Sequence, residues 1–254
     1  MNPSVVYALA CVAALGSRSF LVAASAAPEH ETAAGPVPDR VAPPASEERE
    51  RRAMVAEQLE ARGIRSPRVL HAMRTVPRHR FVPEPYRARA HHDGPLPIGR
   101  GQTISQPYIV AYMAEALELQ GGERVLEVGS GSGYAAAVLS LLAAEVYGIE
   151  LEAELHERSV ATLEELGYRN VHLRHGDGFL GWPERAPFDA ILMSCAAEEI
   201  PGPLWDQLKE GGRFLYPRGP AGGYQEIVLV TRTAQGPVVK VLLPVRFVPM
   251  RRSP

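Results

Sequence analysis

Hydrophobic positions first recur at Met54, Val55 and Leu59, which share one face of a helix that Gly63 stops. Ser46 is its predicted N-cap, with Glu47 and Glu48 in the first turn. Ser66-Pro67 opens a second, short helix with proline at the first helical position and Val69, Leu70 and Met73 as its apolar stripe. Residues 75–107 are proline-rich and show little periodicity, and a stretch that long without elements inside a domain is usually functional. A third helix starts at Pro107, presents Ile109, Val110, Met113, Ala114 and Leu117 on one side, and is predicted to run to Gly121-Gly122.

Beyond residue 123 the pattern changes to alternation. Apolar runs at 124–129, 146–150, 171–177, 189–195 and 213–217 are separated by helical patterns such as 134–142 and 153–166. Strands and helices in strict alternation predict a parallel sheet covered on both faces. The end differs, because 225–233 and 238–248 are β-rich runs joined through Ala234-Gln235-Gly236. That is a hairpin, and it adds antiparallel pairing to the sheet. The expected architecture is a doubly wound, mostly parallel α/β sheet with a C-terminal hairpin and an N-terminal helical addition.

The first 45 residues stand apart. Residues 5–16 are apolar, and Ala24-Ser25-Ala26 resembles a cleavage site, yet no Lys or Arg precedes the apolar run and Arg18 follows it closely. An export signal and an Ala-rich disordered leader both remain open for residues 1–27; the run is too short to span a bilayer. Residues 28–45, rich in Pro, Ala and charge, read as a flexible linker, which leaves 46–254 as the folded domain.

Composition adds mainly exclusions. With 46% hydrophobic and 22% charged residues and a formal charge of −2, the chain has neither a basic surface for nucleic acid nor an acidic tail. Trp182 and Trp205 lack basic interleaving. Its two cysteines, Cys11 and Cys195, are too few for a disulfide framework, and Cys195 at the end of an apolar run reads as a small buried residue. His172 and His175 have no Cys or acid at ligand spacing, so no metal site is expected. His91-His92 reads as a polar lip.

Three motifs carry chemistry. In Val125-Leu126-Glu127-Val128-Gly129-Ser130-Gly131-Ser132-Gly133-Tyr134 a buried strand runs into a glycine turn and then a helix. Such a turn lets the backbone approach a ligand and aims helix N–H groups at it, although a tight turn alone would look similar. The order is G-x-G-x-G rather than the G-x-G-x-x-G of pyrophosphate binders, which disfavours a nicotinamide protein. Glu150 ends the next strand, where a carboxylate can accept from both ribose hydroxyls of an adenosine cofactor; a solvated strand-end acid is the plainer alternative. Gly176-Asp177-Gly178 closes the third strand, suited to an adenine edge or to an ordinary turn. Together they mark the crevice at the C-terminal strand ends where open α/β sheets bind ligands.

These strand-ending motifs resemble class I S-adenosylmethionine methyltransferases with a seven-stranded Rossmann-like sheet. Gly99-Arg100-Gly101-Gln102-Thr103-Ile104-Ser105-Gln106-Pro107 is more specific, as are Val76-Pro77-Arg78, Phe81-Val82-Pro83, Pro95-Leu96-Pro97-Ile98-Gly99 and Val245-Arg246-Phe247-Val248-Pro249. Over roughly residues 50–250 the chain resembles bacterial protein-L-isoaspartate O-methyltransferases. The resemblance implies S-adenosyl-L-methionine as co-substrate and isoaspartyl-containing proteins as partners, with repair starting through a methyl ester and a succinimide. It implies Ser105 as the active-site serine. Gln102, Thr103, Ile104, Ser105, Glu127, Val128, Gly129, Ser130, Gly131, Glu150, Leu151, Asp177, Gly178 and Gln225 are its implied cofactor contacts, with residues 46–120 as a lid and 217–225 as a closing loop. Family members usually carry Tyr or Phe with Ala where this chain has Ala90-His91-His92, and Thr where it has Ser130. Ser105 has a second reading, as N-cap of the helix at Pro107. A methyltransferase with another acceptor and a non-catalytic cofactor-binding module are the alternatives; the intact glycine turn and Ser105 weigh against the module. A monomer without a membrane span is expected. So is a cytoplasmic location, where the methyl donor is made, with export through residues 1–26 as the alternative.

Overall fold

The computed structural model describes residues 45–252, so the readings of residues 1–44 lie outside the described residues. Helix α1, Ser46–Met54, passes through a wide turn at Val55–Leu59 and a tight one at Glu60–Arg62 before Gly63, at φ 97°, ends it. Ala45 rather than Ser46 is the N-cap; the chain enters the helix one residue early, and the Ser46 hydroxyl donates to Glu47 instead. Helix α2, Pro67–Thr75, does take Ser66 as its cap, with the Val69 N–H donating to the hydroxyl at 3.4 Å. Helix α3, Pro107–Ala116, stops short of the expected Gly121. The Glu123 carboxylate accepts from the Gln120 and Gly121 N–H groups at 2.7 and 2.8 Å, which draws these amides out of a helical ladder.

The proline-rich segment is not structureless. After short tight turns at Arg78–Phe81 and Glu84–Arg89, β1 (Leu96–Gly99) pairs antiparallel with β2 (Gln102–Ile104). These strands are so short, and Pro95 and Pro97 so close, that no period-two signal could develop.

Seven further strands form one sheet in the order β5-β4-β3-β6-β7-β8-β9. They are β3 Arg124–Val128, β4 Glu145–Glu150, β5 Val171–His175, β6 Phe188–Met193, β7 Leu208–Arg218, β8 Gln225–Thr233 and β9 Gly236–Val245. Pairing is parallel from β5 to β7 and antiparallel at β7–β8 and β8–β9, the mostly parallel sheet with a terminal hairpin that the alternation predicts. Helices α4 (Tyr134–Ser140) and α5 (Ala153–Glu165) lie in the crossovers; α6 (Gly202–Asp206), only five residues long, escapes periodicity. Strands β3, β5 and β6 end earlier than expected because Gly129, Gly176-Asp177 and Ser194-Cys195 leave the sheet as loops. Those loops build the site.

Alternation along β3 sends Val125 to a core shared with α1 to α4, and Leu126 and Val128 to a second core with Phe188 and Phe214. Among the described residues no helix is long and apolar enough to cross a membrane.

Candidate active site

The turn after β3 exists because its backbone enters the left-handed region at Gly129, Gly131 and Gly133, with φ of 84°, 53° and 84°. Side chains are strained there, so glycine is the residue that permits the turn. Gly178 serves by closeness instead: a Cβ added there would lie 2.6 Å from Val128 Cγ1. The Gly131 N–H donates to Glu150 Oε2 at 2.7 Å and the Glu152 N–H donates to Oε1 at 2.9 Å. Glu150 thus ties the glycine turn to the end of β4 and keeps lone pairs free for a further donor.

These loops surround a cavity with about 1030 Å³ of atom-free space, its open mouth included. The structure brings together around it Gln102, Thr103, Ile104, Ser105, Glu127, Val128, Gly129, Ser130, Gly131, Glu150, Leu151 and Gly178. Asp177 and Gln225 are not among its lining residues. Asp177 accepts from the Phe179 N–H at 2.9 Å. Gln225, only 1% exposed, accepts from the Phe247 N–H at 2.7 Å and donates to the Pro220 carbonyl at 3.1 Å. It joins the loop after β7 to the tail after β9.

Glu127 dominates the electrostatics. Ser194 Oγ donates to its Oε1 at 3.0 Å, while Oε2 is buried without a partner. Burial pushes this carboxyl up to about 8, with the Glu150 charge adding to the rise. An orphaned carboxylate oxygen in a cavity suits a ligand that brings a cation or a hydrogen-bond donor, and the amino group and sulfonium of an S-adenosylmethionine answer both needs. The residues present therefore fit that group. Cys195 also lines the cavity, but burial pushes its thiol up to about 12, so it is an inert wall.

A second groove adjoins the first and shares Thr103, Ser105, Ser194, Val248 and Pro249 with it. Its other walls include Pro95, Ile109, Gly222, Arg246 and Phe247, and Arg246 is its one charged lining residue among those described. Ser105 stands at the junction. Helix α3 takes Gln106 as its N-cap with no side-chain bond, so the Ser105 hydroxyl is not the cap that the alternative reading made it.

Sequence reasoning missed Ser194 and the tail 248–251 as walls of the cavity. Only the closing Val245-to-Pro249 motif pointed there. His91 is corrected: far from forming a lip, it is 4% exposed, with Nδ1 3.2 Å from Glu50 and its ring against His79. Helix α1, forty-one residues earlier in the chain at Glu50, covers it. His92 is exposed, and His172 pairs with Glu145. Among the described residues no group of three or more His, Cys, Asp or Glu side chains is arranged to hold a metal ion.

A mostly parallel seven-stranded sheet with a glycine turn after β3, an acid closing β4 and a cavity at these strand ends defines a Rossmann-like methyltransferase. Comparison with known proteins narrows this. The model of the protein-L-isoaspartate(D-aspartate) O-methyltransferase family matches residues 49–253, and the chain belongs to that family. It is 72% identical over 206 residues to protein-L-isoaspartate O-methyltransferase 2 of Anaeromyxobacter sp., covering 81% of this chain and 85% of that one. It is 55% identical to the protein-L-isoaspartate O-methyltransferase of Gloeobacter violaceus over 79% of this chain and 98% of that one. A Plasmodium falciparum protein assigned to the same activity, solved in complex with S-adenosyl-L-homocysteine, superposes with a TM-score of 0.70 at 26% identity, over 80% of this chain and 99% of that one.

Proposed function

We propose that this protein methylates the free α-carboxylate of L-isoaspartyl residues in damaged proteins, with Ser105 orienting the acceptor where the two cavities meet. The observation that carries the assignment is that junction: the Ser105 hydroxyl, which does not cap α3, lines both the donor cavity and the groove beside it, with Thr103 and Ser194 next to it on the shared wall. The enzyme is an S-adenosyl-L-methionine-dependent carboxyl methyltransferase acting in protein repair, as its family is.

The chemistry asks little acid or base of the chain. A carboxylate is ionised at neutral pH, so no general base is required. When bound, S-adenosyl-L-methionine supplies a methyl carbon that already carries its leaving group. What remains for the protein is alignment, and holding reactants in line can contribute about 7–11 kcal/mol. The donor cavity is lined by Glu150, by Arg251 and by Glu127, whose proton burial helps to hold, while Arg246 is the one charged residue described in the acceptor groove. Arg246 thereby draws an anionic acceptor to the groove side of Ser105. One exposed cation also avoids a strongly basic pocket, which would stabilise the ground-state anion as much as the transition state.

In this reading Gln102 to Ser105, Glu127 to Gly131, Glu150, Leu151 and Gly178 contact the donor, with Asp177 beside them and Gln225 bracing the groove. Residues 46–254 form the catalytic domain, with 46–120 as its lid, and residues 1–45 are dispensable for catalysis; the family match starting at residue 49 supports this division. The protein acts as a monomer in the cytoplasm, because both cavities are complete within one chain and the donor is made in that compartment. Replacing Ser105 by alanine tests the site. Turnover on an isoaspartyl peptide should fall while donor affinity stays nearly unchanged. Unchanged turnover would remove Ser105 from the reaction.

A further inference from the structure

Among the described residues Arg78 is the largest fully buried side chain, with 0% exposure, and it has no carboxylate partner there. A guanidinium taken out of water without a counter-charge is costly to keep, and burial here favours loss of its charge. Its contacts are few and specific. Nε donates to the Ala90 carbonyl at 2.7 Å, and Nη2 donates to the Ser105 carbonyl at 2.8 Å. Its central carbon lies 4.8 Å from the centre of the Tyr134 ring, and Nη1 has no partner.

Each contact belongs to a different part of the site. Tyr134 is the first residue of α4, directly after the glycine turn, and lines the donor cavity. Ala90 closes the segment that leads into the β1–β2 hairpin. Ser105 falls between elements: β2 ends at Ile104 and α3 begins at Pro107, which has no N–H. Neither ladder holds the Ser105 carbonyl, and its described hydrogen bond comes from Arg78.

We infer that Arg78 is a positioning residue that acts through Ser105, locking the serine backbone against the donor-side helix and so fixing where its hydroxyl points. The inference rests on the assignment of Ser105 above and names what holds that residue in place. The shape of the guanidinium explains the choice of side chain: a planar fork reaches two carbonyls and an aromatic face from one buried centre.

A double-mutant cycle with R78M, R78K, S105A and R78M/S105A tests it. For each variant, kcat and KM are measured on an isoaspartyl peptide, donor affinity by calorimetry, and folding by thermal melting. R78M should lower kcat roughly ten- to hundred-fold, the scale of a small misalignment, with donor affinity within about two-fold of the parent. R78K should recover part of the loss. In the S105A background R78M should cost less than about three-fold, because its route of action is already gone. Should R78M fail to fold, R78K carries the test, with a kcat loss of about three-fold or more when Ser105 is present and none in the S105A background. The inference is overturned if the Arg78 effect recurs in full on S105A, if donor affinity falls in step with kcat, or if R78K, as the variant that folds, equals the parent. An S105A protein with undiminished kcat would instead sink the serine assignment itself.

Discussion

Replacing Glu127 by glutamine is the perturbation whose size the structure sets most directly. The carboxyl is 1% exposed, accepts one hydrogen bond from Ser194 and leaves Oε2 unpaired. Burial first, and the Glu150 charge after it, raises its pKa from 4.5 to about 8. A carboxyl whose folded-state pKa lies above its unfolded value is bound more tightly to its proton in the fold. Its penalty is absent below the unfolded value, grows as pH rises, and is complete above the folded value. At about 1.36 kcal/mol per pH unit the full penalty is about 5 kcal/mol. Solvent at the cavity mouth reduces it, so a gain of about 2–5 kcal/mol is expected for E127Q near pH 8.5, and about none near pH 4.5. Glutamine keeps the shape and the acceptor for Ser194 while removing the charge. Urea unfolding of parent and variant at both pH values reads the difference, which cancels every other titrating group. A difference that does not change with pH, or a variant less stable at the higher pH, would refute the reasoning. Donor affinity should move the other way and weaken, since this carboxylate is held in an unfavourable place for the sake of the ligand.

Two further substitutions divide the donor and acceptor sides. E150A should weaken donor binding by about 1–3 kcal/mol through the lost acceptor, and it should also lower the melting temperature because the Gly131 and Glu152 amides lose their partner. Unchanged affinity in calorimetry would reject Glu150 as a donor contact. Q225A should instead raise KM for an isoaspartyl peptide about 5- to 30-fold, because its bonds to Phe247 and Pro220 brace the groove. A parallel loss of donor affinity would return Gln225 to the donor contacts that the family resemblance implies.

The cavity proposed for the donor was legible in the sequence because it is local. A strand, a glycine turn and a helix are contiguous, Glu150 closes β4, and Gly178 lies in the loop directly after β5. The groove proposed for the acceptor is assembled from distant pieces. Ser105 follows a three-residue strand, Ser194 leaves β6, Gly222 sits in the loop after β7, and Arg246 to Pro249 trail β9. No spacing links them, and only the family motifs hinted that they meet. His91 failed for the same reason. With His92 it reads as a polar lip, but Glu50 and Gln58 reach it from the N-terminal helix region and bury it. Arg78 lay inside the Val76-Pro77-Arg78 motif, yet nothing local says that an arginine will be buried without an acid.

The measurement that tests the central claim most directly is methyl transfer from labelled S-adenosyl-L-methionine to a pair of peptides identical except for one residue, isoaspartyl in one and aspartyl in the other. The two differ by one methylene moved between main chain and side chain, which displaces the carboxylate from the position that alignment requires. Label should accumulate on the isoaspartyl peptide as a base-labile ester and remain at background on its twin. Equal labelling of both peptides would contradict the isoaspartyl assignment and leave a carboxyl methyltransferase of broader acceptor choice.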